Sequence, residues 1–540
     1  MDTTAKTVPE GFKLHEENST SILVAGEAFL NPVQEFNRDL SVACITAWSE
    51  LFNAEKEETW KKSLQRQAGR KSNKKRKVDE VKTEVAETEK IETDQPQEKE
   101  PVFIPQKITI LEALSATGLR SIRYAKEIPH VKYVIANDLS PDAVEAIKRN
   151  VTWNDIEMPE ANNGKIRVNQ GDACTLMYSH REDAKRVDVV DLDPYGTAAP
   201  FIDAGIQSVR DGGLLCITCT DLAILATNNY PEKCLSNYGG VSMKSEYSHE
   251  SALRLLLHAL STSASRYGRY IEPLVSLSID FYIRVFVRIH TSPLEVKKVI
   301  TKTATFYVCA SCQAWYEQPL GRVIEKKHEK SGNVNYLFKT HTGIPNTEHC
   351  PECNSNLHLA GPMWSGPIHS PAFISKVLSH VSAHPGKYGT EARMTGMLTV
   401  AKEELPLPFY FTPRQLAGFF HCTTPSIGQV ASALFHGGHQ VSRSHASAGS
   451  LKTTATRAEI YDIFRSYVKL NPVKMENISE HSPARKLLSK EPLTEADFKW
   501  HAGATELTSS KFKLVRYQEN PTSHWGPGSK PQGKKRKAED

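Results

Sequence analysis

Asp193-Pro194-Tyr195-Gly196 closes an apolar run, Val187-Asp188-Val189-Val190-Asp191-Leu192. A short β-branched run that ends in a polar loop reads as a buried parallel strand with a site at its carboxyl end. These residue types suit methyl transfer to the exocyclic amine of a nucleobase. Such an amine delocalises its lone pair into the ring and is a poor nucleophile. A site for it must hold the N–H groups against fixed acceptors and aim the lone pair at the donor. Asp193 and a backbone carbonyl supply acceptors, Pro194 stiffens the loop, and Tyr195 offers a face for stacking. Alone, Asp, Pro and Gly in series make an ordinary turn; the segments upstream add weight to the chemical reading.

Ile108 to Leu114 is strand-like, Ser115-Ala116-Thr117-Gly118-Leu119-Arg120-Ser121 is a small-residue turn, and 122–127 reads as a helix. A second strand, 133–137, ends at Asp138, twenty residues after Gly118. That is the βαβ spacing at which an acid binds ribose hydroxyls. The turn lacks the full glycine pattern for a pyrophosphate, which disfavours a dinucleotide. S-adenosylmethionine, a nucleoside cofactor without phosphates, fits better. A third strand, 166–168, leads to Gln170-Gly171-Asp172-Ala173, where Asp172 is placed to accept from an adenine amine. Each acid read singly is a loop residue or a helix cap. Three polar loops after three successive strands, followed by Asp-Pro-Tyr, favour a site.

Asn31-Pro32-Val33-Gln34-Glu35-Phe36-Asn37-Arg38-Asp39-Leu40-Ser41, Ser115-Ala116-Thr117-Gly118-Leu119-Arg120 and Asp191-Leu192-Asp193-Pro194-Tyr195-Gly196 together resemble the tRNA guanine-26 N2-dimethyltransferases, in particular their eukaryotic, fungal-like members. The likeness runs from about Glu17 to Val468, interrupted by an insert, and includes Thr218-Cys219-Thr220-Asp221. It implies that Arg38, Arg120, Asp138, Asp172 and Ala173, with Gly118 in the turn, line a cofactor pocket, and that Asp193 sits at the reacting amine. The tRNA substrate and the second methylation come from this resemblance. Tyr195 or Phe201 would support the base.

The elements that must hold these residues imply an α/β chain. We expect a Rossmann-like methyltransferase domain over 17–300, a C-terminal α+β tRNA-binding domain with a zinc ribbon over 301–500, and a largely disordered basic tail over 501–540. Net charge is +5, but residues 61–77 carry nine Lys or Arg and no acid, and residues 78–100 carry nine acids against three Lys. This block-charged stretch predicts a disordered insert over about 54–104. Lys74 to Lys77 and Lys534 to Lys537 read as signals for a nuclear import receptor, against the plainer reading of basic tails touching phosphates. A nuclear location is expected. No run is apolar enough to span a membrane, and no clear mitochondrial presequence is seen, so a mitochondrial pool is left open.

Ten cysteines in a chain without a secretory signal argue for thiols. Cys309-Ala310-Ser311-Cys312 and Cys350-Pro351-Glu352-Cys353 offer four thiolates, a closed tetrahedral set for structural Zn2+. The other six read as core residues. Residues 281–290 alternate apolar and basic and predict a half-exposed strand. Helices are expected over 372–382, 413–420, 426–435 and 458–468, in a winged-helix-like order. There Arg443, His445, Lys452 and Arg457 could grip phosphates, against an ordinary surface reading. Three alternatives stay open: an amino-methyltransferase acting on adenine N6 or on DNA, an NAD-dependent oxidoreductase, and a tRNA-binding or tRNA-folding protein with a vestigial site.

Overall fold

The computed structural model describes residues 6–25, 34–82 and 101–508, apart from 160, 162, 330 and 344–347; side chains of 68–82 are also outside it. Asn31, Pro32, Val33, the side chains of Lys74 to Lys77, and Lys534 to Lys537 therefore lie outside the described residues.

The strands in chain order are β1 (Phe12–Glu17), β2 (Thr20–Ala25), β3 (Ile108–Glu112), β4 (Val131–Asp138), β5 (Ile166–Gln170), β6 (Val187–Leu192), β7 (Val209–Cys219), β8 (Arg269–Ile279), β9 (Tyr282–Thr291), β10 (Thr303–Cys309), β11 (Trp315–Pro319), β12 (Gly321–Lys327), β13 (Val334–Thr340), β14 (Leu357–Trp364), β15 (Val441–Arg443) and β16 (Leu451–Thr453). A seven-stranded sheet in the order β5-β4-β3-β6-β7-β9-β8 forms the centre. β5, β4, β3, β6 and β7 are parallel, and β9 joins β7 antiparallel. The helices of its first half are α1 (Glu35–Lys82), α2 (Leu119–Glu127), α3 (Pro141–Trp153), α4 (Ala173–Ser179) and α5 (Ala199–Ser208). The strand–turn–helix alternation read from the sequence is thus the observed one.

Successive residues of a strand face opposite sides, so Ile110 and Leu111, Val189 and Val190, and Leu214 and Leu215 enter two separate cores. Leu111, Val190 and Leu215 pack with α5 and the helix Ser248–Ser265. Ile110, Val189 and Leu214 pack with Phe36, Leu40 and Trp48 of α1 and with Phe373, Ile374 and Val377. Those last three belong to the helix Pro371–Ala383, which lies beyond the domain boundary expected at 300. Covering both faces of a parallel sheet outweighs that boundary, and the C-terminal half supplies part of the cover.

Two other expectations are corrected. The insert expected to be disordered over 54–104 begins as helix, because α1 continues to Lys82. Glu57–Lys61 (2.7 Å) and Glu58–Lys62 (2.6 Å) pair one turn apart, and the Trp60 ring lies 5.8 Å from Phe103. Asn53 also holds the returning chain, accepting from the Gln106 N–H at 2.7 Å. The strand expected to be half-exposed over 281–290 is buried from Tyr282 to Ile289, because β9 lies between β7 and β8. Its basic residues face partners, with Arg288 held by Glu55 at 2.7 and 2.9 Å.

β8 ends the sheet, yet three of its outer backbone groups are occupied. Leu274 accepts from the Ser370 N–H (2.9 Å), the Ser276 N–H donates to His369 Nδ1 (3.3 Å), and the Ser278 N–H donates to His445 Nε2 (3.2 Å). Burial pushes His369 down to about 4, so its ring stays neutral and can accept.

The helices Pro413–Phe419, Ile427–His436 and Arg457–Leu470 stand in the expected order around β15 and β16. The helix Glu391–Glu403 was not anticipated.

Candidate active site and cysteine cluster

The polar loops converge at the carboxyl ends of β3, β4, β5 and β6. Asn137, buried, ties them. Its Nδ2 donates to Ala113 O (2.9 Å) and Gly171 O (3.1 Å), and its Oδ1 accepts from Asn169 Nδ2 (2.7 Å). The turn after β3 holds Ala116 at φ 47° and Gly118 at φ 77°. Both are left-handed, and Gly118 tolerates this without strain. Asp138 accepts from the N–H groups of Ala116 and Ser140, both at 2.9 Å. Asp172 is exposed and caps α4, accepting from the Thr175 N–H at 2.7 Å. Ala173 is buried as the first residue of α4.

The two expected cofactor arginines are both engaged. Arg38 donates from Nε to Glu17 at 2.7 Å. Arg120, on the first turn of α2, pairs with Asp193 and donates to Ser41 Oγ at 3.0 Å. Asp193 is 24% exposed, and among the described residues its second oxygen has no hydrogen-bond partner. Pro194 is buried, and Tyr195 is 67% exposed. Phe201 is only partly buried and packs on the core beneath. Gly196, at φ 82°, donates to Thr220 Oγ1 (2.8 Å) and accepts from the Thr220 N–H (3.0 Å). The end of β7 thereby clamps the Asp-Pro-Tyr-Gly loop. Thr197 Oγ1 and Asp221 Oδ2 meet the Tyr238 hydroxyl at 2.7 and 3.2 Å. Cys219 packs on the same hydroxyl at 3.3 Å, and burial pushes its thiol up, away from reactivity.

Beneath Asp193 lies a buried charge cluster that the sequence reading missed. Arg284 of β9 pairs with Asp191 at 2.8 Å and donates to Thr218 Oγ1 (2.9 Å) and Ser41 Oγ (2.8 Å). Arg120 lies 3.6 Å from Asp191 and 3.7 Å from Glu112. Tyr124 donates to Asp191, and Ser121 to Glu112. Burial alone would raise Asp191; Arg284 and Arg120 outweigh it and hold the carboxyl below its usual range. Glu112 goes the other way, with burial pushing it up to about 8 against the pull of Arg120. Two arginines and two aspartates therefore balance, and burial favours the neutral form of Glu112.

The phosphate-gripping role expected of Arg443, His445, Lys452 and Arg457 is corrected for three of the four, which are buried. Lys452 lies 2.8 Å from Glu404 and 3.0 Å from Glu250. His445 meets Glu404 at 2.6 Å. Arg457 stacks on Trp315, 3.8 Å from its centroid, and donates to Gln313 O at 3.0 Å. An uncompensated buried charge is costly, so the Lys452 ammonium is matched by Glu250 and Glu404, and the Arg457 guanidinium faces Glu246 at 3.7 Å. Arg443 alone is half-buried. His369, Glu404 and His445 lie as close together as metal ligands do; their outer nitrogens serve β8, while His369 Nε2 and His445 Nδ1 face each other at 3.3 Å beside Glu404, which the Lys452 ammonium neutralises.

Cys309, Cys312, Cys350 and Cys353 converge, all buried, with every Sγ within 4.8 Å of the others. Cys309–Cys353 is 3.3 Å and Cys312–Cys350 is 3.7 Å. These are far beyond a disulfide bond of about 2.05 Å and near the roughly 3.8 Å edge of a tetrahedron of Zn–S bonds of about 2.3 Å. Left-handed Gln313 (φ 57°) and Asn354 (φ 59°) shape the two turns. The Tyr461 hydroxyl donates to Cys312 O at 2.7 Å, joining the cluster to the helix Arg457–Leu470.

A mostly parallel sheet wrapped by helices, with polar loops gathered at one end of its strands, is the architecture of the Rossmann-like methyltransferases. Residues 10–465 match the family described as N2,N2-dimethylguanosine tRNA methyltransferase. The tRNA (guanine(26)-N(2))-dimethyltransferase of Schizosaccharomyces pombe is 44% identical over 517 residues, covering 95% of this chain and 91% of that protein. The human protein of the same name is 43% identical over 512 residues, covering 93% of this chain and 75% of its own length. The structure of Trm1 from Pyrococcus horikoshii with S-adenosyl-L-methionine aligns at a TM-score of 0.59 with 24% identity, covering 82% of this chain and 97% of that one. The chain belongs to the N2,N2-dimethylguanosine tRNA methyltransferase family.

Proposed function

We infer that this protein transfers two methyl groups from S-adenosylmethionine to the exocyclic N2 of guanine 26 in tRNA. The observation that carries the reading is Asp193, fixed by Arg120 with one carboxylate oxygen unpartnered among the described residues, beside the exposed ring of Tyr195.

The loops suit the cofactor. Asp138 and Asp172 present carboxylates for ribose hydroxyls and an adenine amine, and both arginines nearby are already paired within the protein. Gly118 and Ala173 keep the surroundings small, and no cation of this group is left for a phosphate. When bound, S-adenosylmethionine supplies an electrophilic methyl on a sulfonium that is its own leaving group. The protein's part is to orient the amine. The target base leaves its stack, Tyr195 supports its face, and Asp193 with a carbonyl of the same loop accepts the N2 hydrogens. Asp193 then takes the departing proton directly or through water. The clamp from Thr220 keeps the loop from drifting, and a small misplacement costs rate heavily.

Four converging thiolates at tetrahedral spacing support a structural zinc that pins the C-terminal half through Tyr461. The basic runs Lys74 to Lys77 and Lys534 to Lys537 support nuclear import. A relative from Saccharomyces cerevisiae, 41% identical over 558 residues, carries "mitochondrial" in its name, which supports a mitochondrial pool too.

Incubation with radiolabelled S-adenosylmethionine and unmodified tRNA, followed by nucleoside analysis, tests the function. Label is expected in N2-methyl- and N2,N2-dimethylguanosine. Label in N6-methyladenosine, or tRNA binding without label, would replace this reading by one of the alternatives.

A further inference from the structure

β12 and β13 form a two-stranded hairpin whose outer edges carry no further strand among the described residues. Such a ribbon is marginal alone; this one is anchored at its base. The Leu320 N–H donates to Thr303 O at 2.9 Å, and a Cβ on Gly321 would come within 2.7 Å of the Ile300 side chain. Residues 321–340 hold five Lys or Arg against two Glu. Directly opposed residues share a face, so the register places Arg322 with Lys339, Ile324 with Leu337, and Lys326 with Asn335 on one side. Leu337 is 40% exposed amid those cations. The other side carries Lys327, Glu325 and, directly opposite Glu325, Tyr336, a ring 36% exposed and 5.4 Å from the Lys298 ammonium.

Elsewhere on the surface some lysines find carboxylates, while others, such as Lys132, Lys376 and Lys474, stand singly without an ion pair among the described residues. Lys61, Lys62, Lys148, Lys185 and Lys298 are each paired at 2.6 to 2.8 Å. Among the described residues, Arg322, Lys326, Lys327 and Lys339 have no such partner. Unpaired cations interleaved with an exposed ring and aliphatic side chains fit a ribose-phosphate backbone with bases or sugars packed alongside.

The place of the hairpin limits the ligand. Cys219, at the site end of β7, pairs with Ile283, whereas Thr291, at the other end of β9, leads through the helix Pro293–Lys298 to Ile300. The hairpin therefore roots at the end of the sheet opposite Asp193. Ten residues of β9 span roughly 33 Å at about 3.3 Å each. A folded RNA with extended helical arms has that reach.

We propose that the β12–β13 hairpin is a second docking surface for tRNA, gripping the ribose-phosphate backbone of an arm remote from the target guanine. This rests on tRNA being the substrate. The test uses the full-length chain with Lys326→Glu, Lys327→Glu and Lys339→Glu combined, and separately Tyr336→Ser. All four positions are at the surface, and an unchanged melting temperature confirms folding. Binding of unmodified tRNA is measured across a salt series, and KM and kcat at one salt. The triple variant is expected to weaken tRNA binding about tenfold or more and to lower the salt slope by about two. KM for tRNA should rise while kcat and KM for S-adenosylmethionine hold, and Tyr336→Ser should weaken binding in the same direction. Affinity for a short stem-loop bearing the target guanine should match that of the unsubstituted protein. Unchanged tRNA affinity and salt slope would overturn the proposal and leave the methyltransferase reading standing, as would an equal loss on the short stem-loop. A hairpin serving a protein partner instead would give the unchanged result. Absence of methyl transfer by the unsubstituted protein would remove the functional reading, and tRNA binding by the variants would still decide the hairpin.

Discussion

Glu112→Gln probes the charge balance under Asp193. Glu112 is buried at the end of β3, and burial raises it from 4.5 to about 8 despite Arg120. A carboxyl raised in the folded state makes that state bind more protons than the unfolded chain. Its stabilisation is complete below about 4.5, declines as pH rises, and is gone above about 8. At about 1.4 kcal/mol per unit, with the group half-titrated at pH 8, the decline between pH 6 and pH 8 is about 2 kcal/mol. Glutamine keeps the shape of the protonated acid and does not titrate. Denaturant unfolding of both proteins at pH 6, 7 and 8 isolates the group, since all other titrations are shared. We expect the two within about 1 kcal/mol at pH 6 and the variant ahead by about 2 kcal/mol at pH 8. Parallel pH profiles would refute a protonated Glu112. So would a loss of about 3 kcal/mol or more at pH 6, the signature of breaking a buried ion pair with Arg120.

Two more outcomes follow from the site. Asp193→Ala should lower methyl transfer by about 10²- to 10⁴-fold while S-adenosylmethionine affinity, by calorimetry, changes little; retention of most activity would remove Asp193 from the reaction. Cys309→Ser should reduce bound zinc from about one ion per chain toward none and lower the melting temperature, because Tyr461 hangs on the Cys312 turn. Undiminished zinc, or an unshifted transition, would show that the four thiols do not form one structural site.

The strands and loops that bear the candidate site were legible because their signals are local. β6 is a β-branched run followed directly by Asp193, and the turn at Gly118 falls between a strand and a helix. The four cysteines were legible from spacing. What supports the site was not. Arg284 is far from Asp191 in sequence, and its alternation with apolar neighbours looks the same whether the basic face meets water or a buried carboxylate. The same ambiguity misplaced Lys452 and Arg457 at the surface, where Glu250, Glu404 and Trp315 in fact receive them. Charge blocks likewise suggested disorder at 54–82, although Glu57 and Glu58 stand one helical turn from their lysines. Partners distant in sequence decide the buried cases, and composition is silent about them.

The ring nitrogens at the margin of β8 have a consequence beyond this chain's own stability. An open strand margin is a template on which another molecule can add a strand. Leu274 O, Ser276 N–H and Ser278 N–H point outward along this edge, and Ser370, His369 and His445 fill them from the C-terminal half. A nascent chain that has made the sheet but not yet reached His445 exposes that template. Completion of the last third of the polypeptide is therefore also the step that removes an invitation to self-association.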